Sequence, residues 1–516
     1  MIATLRHVAR LLVIARTLAR HAALFPLEEA GLAPPIVLLA RILARRSKEK
    51  GRPGERLALA LQELGPSFIK LGQALSVRSD VLGERMAEDL SALQDRLPPF
   101  APEEARATVE AELGKPLGEL FASFEDEPVA AASIAQVHYA VTSEGAPVAV
   151  KVLRPGIEGA FARDLELLEW LAALVEERRP ALRRLKPREV VAFFRQMVSL
   201  EMDLRLEAAA ACEFAESLAD DPRVRIPKVD WQRTARRVMT LERIAGIPVD
   251  EREALIAAGH EPLAVITHAA ESFFNQVFRN GFFHGDMHPG NLSVDADGRL
   301  VMVDFGIMGR IDRKTRDYLA EMLIGFLEGD YLRVAEVHFR AGYVPARKSR
   351  DAFMQACRAI GEPILNKPLH EISLARLLGQ LFAVTETFEM ETQPQLLLLQ
   401  KSMLLAEGVG RKLSPEVNMW ALARPLVEAW VRENRTPEAV LGEMTRTVAE
   451  AVQGLPELAR QTRSLLRELA DGGLRLHPDT LAALAARGRG SRALLWPLWL
   501  AVALLSLILL ALFSLA

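Results

Sequence analysis

Two cysteines in 516 residues, Cys212 and Cys357, have no metal-ligand spacing and form no even framework. This excludes a disulfide-stapled or cysteine–zinc design and fits a reducing compartment, and the default expectation for both is a buried structural thiol. Only four tyrosines are present, too few for an aromatic platform that stacks single-stranded nucleic acid. No global charge points to nucleic acid either, since 64 Lys and Arg face 67 Asp and Glu. Internal repeats and long low-complexity segments are absent. The length exceeds one ordinary core and implies roughly three domains or segments.

Two local absences concern the ends. No acid precedes Glu28, and Arg6, Arg10, Arg16 and Arg20 share about a third of a helical wheel, with Leu5, Val8, Leu11, Ile14, Ala15 and Leu18 over the rest. Three placements suit such a helix: an anionic membrane surface, an organelle presequence, or packing on the body with solvated arginines. Charge is also missing from Leu494 to Ala516, and a helix of that length would span roughly 34 Å. Arg487, Arg489 and Arg492 precede it, and Trp496 and Trp499 stand at an interfacial level. The positive-inside rule then keeps the main body cytoplasmic.

The chemistry lies in what is present. His284 to Asn291 read HGDMHPGN, and the strand-like run Arg299–Val303 leads into Asp304-Phe305-Gly306. An Asp and an Asn five apart, followed by DFG, form the phosphate and metal end of a protein-kinase-like fold. Asn291 and Asp304 offer the oxygen ligands that Mg²⁺ prefers, and Asp286 faces the attacking group. Upstream, Pro147-Val148-Ala149-Val150-Lys151 is a β-branched run after a hairpin signal at Gly145. A lysine buried there needs an anion, which ATP phosphates and a helix carboxylate supply. Helices are expected over about 157–177 and 187–218. The second carries Glu201, Asp203, Arg205 and Glu207, with Asp203 and Glu207 on one face and Glu201 and Arg205 on another, at the spacing of an ordinary surface ion pair. Glu207 is the expected partner of Lys151, while Glu201 and Asp203 remain loop or metal-site candidates. The connection from Lys151 to Glu207 is longer than an ordinary kinase uses.

Ahead of the lysine strand, the glycine-rich phosphate loop is missing. Ala130-Ala131-Ala132-Ser133 stand there, and alanine has less freedom at φ > 0, so a stiffer loop is expected. Further upstream, Gly65-Pro66 signals a helix that places Lys70 and Gln73 on one face, with Gly72 allowing close backbone approach.

Together these residues resemble the UbiB family of atypical protein-kinase-like proteins, which support ubiquinone biosynthesis. Lys70-Leu71-Gly72-Gln73 is similar to its KxGQ signature, Ala130–His138 to its alanine-rich loop, and Glu201-Met202-Asp203 to its ExD motif. Lys151 and Glu207 match its ion pair. Pro394–Lys401 and Glu407–Arg411 resemble the bacterial branch. One position departs: the family's Asn three residues after the ion-pair Glu is Ala210 here.

The resemblance implies an α+β, two-lobed protein-kinase-like fold with added KxGQ helices, a mostly helical C-lobe and a C-terminal transmembrane helix. The expected division is 1–50 basic and membrane-associating, 51–125 KxGQ extension, 126–243 N-lobe with inserted helices, 244–430 C-lobe, 431–492 helical tail and 493–516 transmembrane helix. ATP and Mg²⁺ are the implied cofactors. Lys70, Gln73 and Ala130–Ser133 would join Lys151 around the nucleotide, and Asp286, Lys151 and Glu207 would be catalytic. The implied activity is an ATPase coupled to handling of polyprenyl quinone precursors at the bacterial inner membrane, rather than protein phosphorylation. Membrane lipids and quinone-biosynthesis enzymes are its expected partners, with no nucleic acid and a homodimer left open. A non-catalytic ATP-binding scaffold and a small-molecule phosphotransferase are the rival readings.

Overall fold

The computed structural model describes residues 2–25, 51–76, 97–178, 187–363 and 394–414, together with a few positions between them and up to 430. The expected helical tail over 431–492 and transmembrane helix over 493–516 lie outside the described residues, as does the whole stretch 26–50. Among the described residues, no helix is long and apolar enough to cross a membrane.

Helix α1 (Ile2–Arg20) buries Leu11, Ile14, Ala15 and Leu18. The last three pack with Leu57, Leu61 and Leu64 of α2 (Pro53–Leu64) and with Phe68 of α3 (Pro66–Ser76). Three of its arginines are paired: Arg10 Nε lies 2.8 Å from Asp164, Arg6 3.2 Å from Glu166 and Arg20 2.6 Å from Glu63. Of the three placements considered, this is packing on the body, with arginines that keep contact with solvent while meeting acids of neighbouring helices. A membrane surface and this protein surface ask for the same apolar stripe, and here protein covers it. Gly65, at φ 103°, separates α2 from α3 where a side chain would be strained. Pro66 then starts α3, where a missing N–H costs nothing.

After α4 (Pro102–Leu113), a five-stranded antiparallel sheet begins. It comprises β1 (Phe121–Phe124), β2 (Ala130–Ala131), β3 (Ala135–Thr142), β4 (Pro147–Leu153) and β6 (Val238–Glu242). β1 lies ahead of the boundary expected at residue 126. Along β4, Val148, Val150 and Val152 turn inward against Val109, Leu117 and Phe121. Period-two alternation therefore puts Lys151 on the opposite face.

Beyond β4 come α5 (Ile157–Arg178), α6 (Pro187–Glu201) and α7 (Leu204–Ser217). The helix expected to run unbroken from 187 to 218 stops at Glu201. Asp203, at φ −123° and ψ 92°, is extended, and its carboxylate caps α7 by accepting from the Arg205 N–H.

The second half is mostly helical around small sheets. β5 (Val224–Arg225), β10 (Leu300–Met302), β9 (Leu292–Val294) and β7 (Ile247–Pro248) form one sheet, and β8 (Phe282–His284) pairs with β11 (Met308–Arg310). Under them, α8 (Pro262–Phe274) runs into a π-helical segment over Asn275–Asn280. Helices α9 (Arg313–Glu328), α10 (Tyr331–Arg340), α11 (Arg350–Gly361) and α12 (Pro394–Leu413) follow. The central core here contains Phe214 from α7, Phe282, Leu292, Leu300, Met302 and Phe305, and Val409 and Leu413 from α12.

Candidate active site

The site forms where the β4 cleft face meets the loops after β8 and β10. Lys151 Nζ lies 2.6 Å from Glu207 Oε1 and 3.5 Å from Asp304 Oδ1. Glu207 reaches it because Asp203 sets the start of α7 and the Leu204 N–H bonds Arg236 O at 2.8 Å. Burial alone would lower the Lys151 ammonium's pKa, but the Asp304 and Glu207 carboxylates outweigh it and hold it above its ordinary value. Burial pushes the Glu207 carboxyl upward, against the pull of Lys151. The Asp304 carboxyl is held at about 2, first by Lys151, with Lys70 adding to the effect. Its side chain is 52 % exposed within the cleft, so water screens this field and no stability follows from it.

Asp304 adopts φ 62°, a left-handed conformation that costs a non-glycine residue energy and gathers at functional sites. Gly306 follows at close quarters, since a Cβ there would lie 3.3 Å from Asp304 Oδ1. Phe305, between them, is buried with its ring centroid 5.9 Å from that of Phe214. That contact ties the DFG segment to the helix carrying Glu207. Ala210, the position that departs from the family pattern, packs beside this cluster.

The HGDMHPGN segment is fixed from both sides. His284 is buried, and burial lowers its pKa, so the ring is neutral. Its Nε2–H donates to Val303 O at 3.2 Å, while Nδ1 accepts from the Asp286 N–H at 3.1 Å. The His284 N–H in turn donates to buried Gln276 Oε1 at 3.2 Å, a side chain placed by the π-helical segment. Asn291 Nδ2 donates to Asp286 O at 3.0 Å, which orients the amide and makes Oδ1 the atom it can offer a cation. Asn291 Oδ1 and the Asp304 carboxylate are hard oxygen donors, which suits Mg²⁺ with phosphate and water oxygens completing its shell.

The other expected residues divide. Lys70, on α3, enters the site's field and pairs with Glu201 at 3.2 Å, both side chains nearly buried. Gln73 lies one turn further along α3 and is half-buried. The expected Glu201–Arg205 surface pair is therefore corrected. Because the helix breaks at Met202–Asp203, Arg205 folds back onto Asp203 at 2.6 Å, leaving Glu201 to meet Lys70.

Ala130 and Ala131 are strand residues paired with Val137 and Gln136. The Ala132 N–H is taken by Ala135 O at 2.8 Å, so this turn has fewer amides to offer phosphate than a glycine-rich loop. Ser133 is fully buried rather than presented to the cleft. Arg154 holds the turn through the carbonyls of Ser133 at 3.1 Å and Ala132 at 3.2 Å, and it also bonds Pro98 O at 2.7 Å.

Two contacts escaped sequence reasoning. His284 was read only as part of a motif, although a histidine flanked by Phe283 and Gly285 signals burial. Lys401, on α12, places Nζ 3.1 Å from Asp286 Oδ1; it closes the Pro394–Lys401 run, but nothing in that run names Asp286 as its partner.

A strand lysine paired to a helix glutamate, an HGD…N loop and a DFG aspartate at one cleft define an atypical kinase-like protein. Residues 92–338 match the ABC1 atypical kinase-like domain, and residues 357–418 match the UbiB helical domain. A relative from Marinobacter nauticus named "Probable protein kinase UbiB" is 42 % identical over 424 residues, covering 81 % of this chain and 78 % of that one. One of the same name from Xanthomonas campestris pv. campestris is 44 % identical over 430 residues, with 81 % and 77 % covered. The chain belongs to the UbiB family. Among solved structures, the complex of Rv3197 with erythromycin from Mycobacterium tuberculosis superposes with a TM-score of 0.51 and 27 % identity. It covers 71 % of this chain and 93 % of that one.

Proposed function

We propose that the protein is a membrane-associated ATPase of the atypical kinase-like class that supports ubiquinone biosynthesis by handling polyprenyl quinone precursors. The observation that carries this is the Lys70–Glu201 pair beside Lys151–Glu207 and Asp304. Two of the chain's own helices, α3 and α6, meet at this pair beside intact nucleotide residues, and on our reading they take the place where an extended protein substrate would dock.

Lys151, steadied by Glu207, would meet the phosphates of ATP, and Asn291 with Asp304 would hold Mg²⁺. When bound, Mg²⁺ neutralises charge on the phosphate oxygens. Asp286 orients a water whose oxygen forms a bond to the γ-phosphorus as the bond to the bridging oxygen breaks. ADP leaves with that electron pair, and the water's proton ends on phosphate or solvent. The charge-free run after Leu494, preceded by arginines, supports anchoring in the bacterial inner membrane with the body in the cytoplasm. This position suits contact with lipids, bilayer-resident precursors and the enzymes that modify them.

The test is phosphate release from Mg-ATP by the full-length protein on anionic vesicles, with and without a phenolic quinone precursor. Release that rises with vesicles and precursor, and falls on the order of a hundredfold in Asp304→Asn, supports the proposal. Label appearing on an acceptor would make the protein a phosphotransferase. Nucleotide binding without release under any condition would make it a scaffold.

A further inference from the structure

The kinase-like and helical family matches are separate stretches of chain, yet one ion pair joins them inside the site. Lys401, in the helical part, lies 3.1 Å from Asp286 in the kinase-like part. We infer that Lys401 is a positioning residue for Asp286, so that the helical domain completes the active site. This rests on the ATPase reading above.

The placement of Lys401 follows from packing. Leu399 of α12 is buried with Val277, Phe283 and Ile311 directly under the loop. Further along, Val409 and Leu413 enter the core beside Phe282 and Phe305. The end of the helix is held by Arg252 Nε on Leu413 O at 3.0 Å and by Lys412 on Asp250 at 3.0 Å. A Cβ on Gly285 would lie 2.9 Å from Leu398 Cδ2, so α12 touches the residue next to Asp286. One helical turn with a fixed axis sets the reach of Lys401.

The loop needs a cation from elsewhere. His284–Asn291 contains no lysine or arginine, and exposed His288 uses Nδ1 to accept from the Gly290 N–H at 3.1 Å. The Asp286 backbone is fixed at N by His284 and at O by Asn291. That leaves the carboxylate two side-chain torsions, which Lys401 restrains. The pair also offsets the charge of Asp286 when a triphosphate arrives beside it. Both side chains are about a third exposed, at 34 % and 30 %. Such a pair adds little to stability, so its loss should register in turnover rather than in melting.

The experiment uses full-length protein on anionic vesicles, with Lys401→Met, Lys401→Arg, Asp286→Asn and the Lys401→Met/Asp286→Asn double variant. Phosphate release is followed as ATP is varied. Lys401→Met is expected to lower kcat between about tenfold and a hundredfold while KM for ATP stays within about twofold. Lys401→Arg should restore most of the rate, and Lys401→Met should cost nothing more once Asp286 is Asn. Unchanged kcat in Lys401→Met, or a loss confined to KM, would overturn the inference. Failed rescue by Arg together with a lowered Tm would reduce Lys401 to a structural role. Wild-type protein that releases no phosphate would defeat the ATPase reading instead. Hydrogen exchange then decides on the inference: Lys401→Met and Asp286→Asn should each speed exchange across Gly285–Asn291 about threefold or more, and unchanged rates would sink it.

Discussion

Replacing Glu207 by Gln keeps the shape of the Lys151 partner and removes its charge. The pair is 2.6 Å long with 16 % and 9 % side-chain exposure. At an effective dielectric of about 20, the attraction across it is roughly 6 kcal/mol before desolvation is counted. Breaking a buried pair from one side costs about 3–5 kcal/mol. Here Asp304 stays 3.5 Å from the ammonium, and the amide oxygen still accepts a hydrogen bond. The expected loss is therefore smaller, about 2 kcal/mol, or a few degrees of Tm. Lys151 would also lean toward Asp304 and occupy the carboxylate meant for Mg²⁺, weakening Mg-ADP on the order of tenfold or more. Melting curves and calorimetric titration with Mg-ADP read both effects. The sharper check is the double variant Lys151→Met/Glu207→Gln, which removes both charges of the buried pair, leaves the half-exposed Asp304 to solvent, and should be more stable than Glu207→Gln alone. A double variant less stable than either single one would refute the reasoning.

Four further outcomes are expected. Gly309→Ala would put a Cβ 2.1 Å from Phe283 Cζ, in a β8 ring packed with Val277, Ile311 and Leu399. It should destabilise the protein by about 2 kcal/mol or more in denaturant unfolding. Asp203→Ala removes the cap of α7 and the grip on Arg205, costing about 1 kcal/mol by the same measurement. It should also weaken Mg-ADP binding, because Glu207 sits in the first turn of that helix. Burial holds His138, His284 and His338 below their ordinary pKa, so the unfolded chain takes up protons first as pH falls. Stability is then lost on going below about pH 6.5, at most about 1.4 kcal/mol per pH unit for each histidine, and flat unfolding free energy between pH 7 and 5 would contradict this. Arg154→Ala frees the carbonyls of Ala132 and Ser133 and should raise hydrogen exchange over residues 130–135 while leaving the Lys151–Glu207 pair in place.

Legibility in the sequence depended on whether a residue's position follows from local periodicity. Lys151 was readable because alternation along β4 allows its side chain one face, and the DFG and HGDMHPGN segments because their spacing is itself the geometry. The break at Met202–Asp203 was hidden, since apolar spacing continues across it and only the Asp203 cap marks it. The Lys70–Glu201 and Lys401–Asp286 pairs join elements far apart in the chain, and no helical pattern states which helix another meets. For α1, the stripe of Leu11, Ile14 and Leu18 reads alike for lipid and for protein. The acids that settle its packing, Asp164 and Glu166 on α5, become neighbours only in the fold. In the alanine-rich loop, pairing with β3 decides the conformation of Ala130 and Ala131, and a run of alanines does not announce that pairing.

The central claim is that Lys151, Asp304 and Asn291 form a magnesium-dependent nucleotide site. Equilibrium binding of ATP to the full-length protein, measured with Mg²⁺ and again with EDTA, in wild type and Asp304→Asn, tests it most directly. The account predicts binding that weakens on the order of tenfold or more when Mg²⁺ is removed, with Asp304→Asn insensitive to the metal. Equal affinity with and without Mg²⁺ in the wild type, or an Asp304→Asn variant that responds to Mg²⁺ as the wild type does, would contradict it.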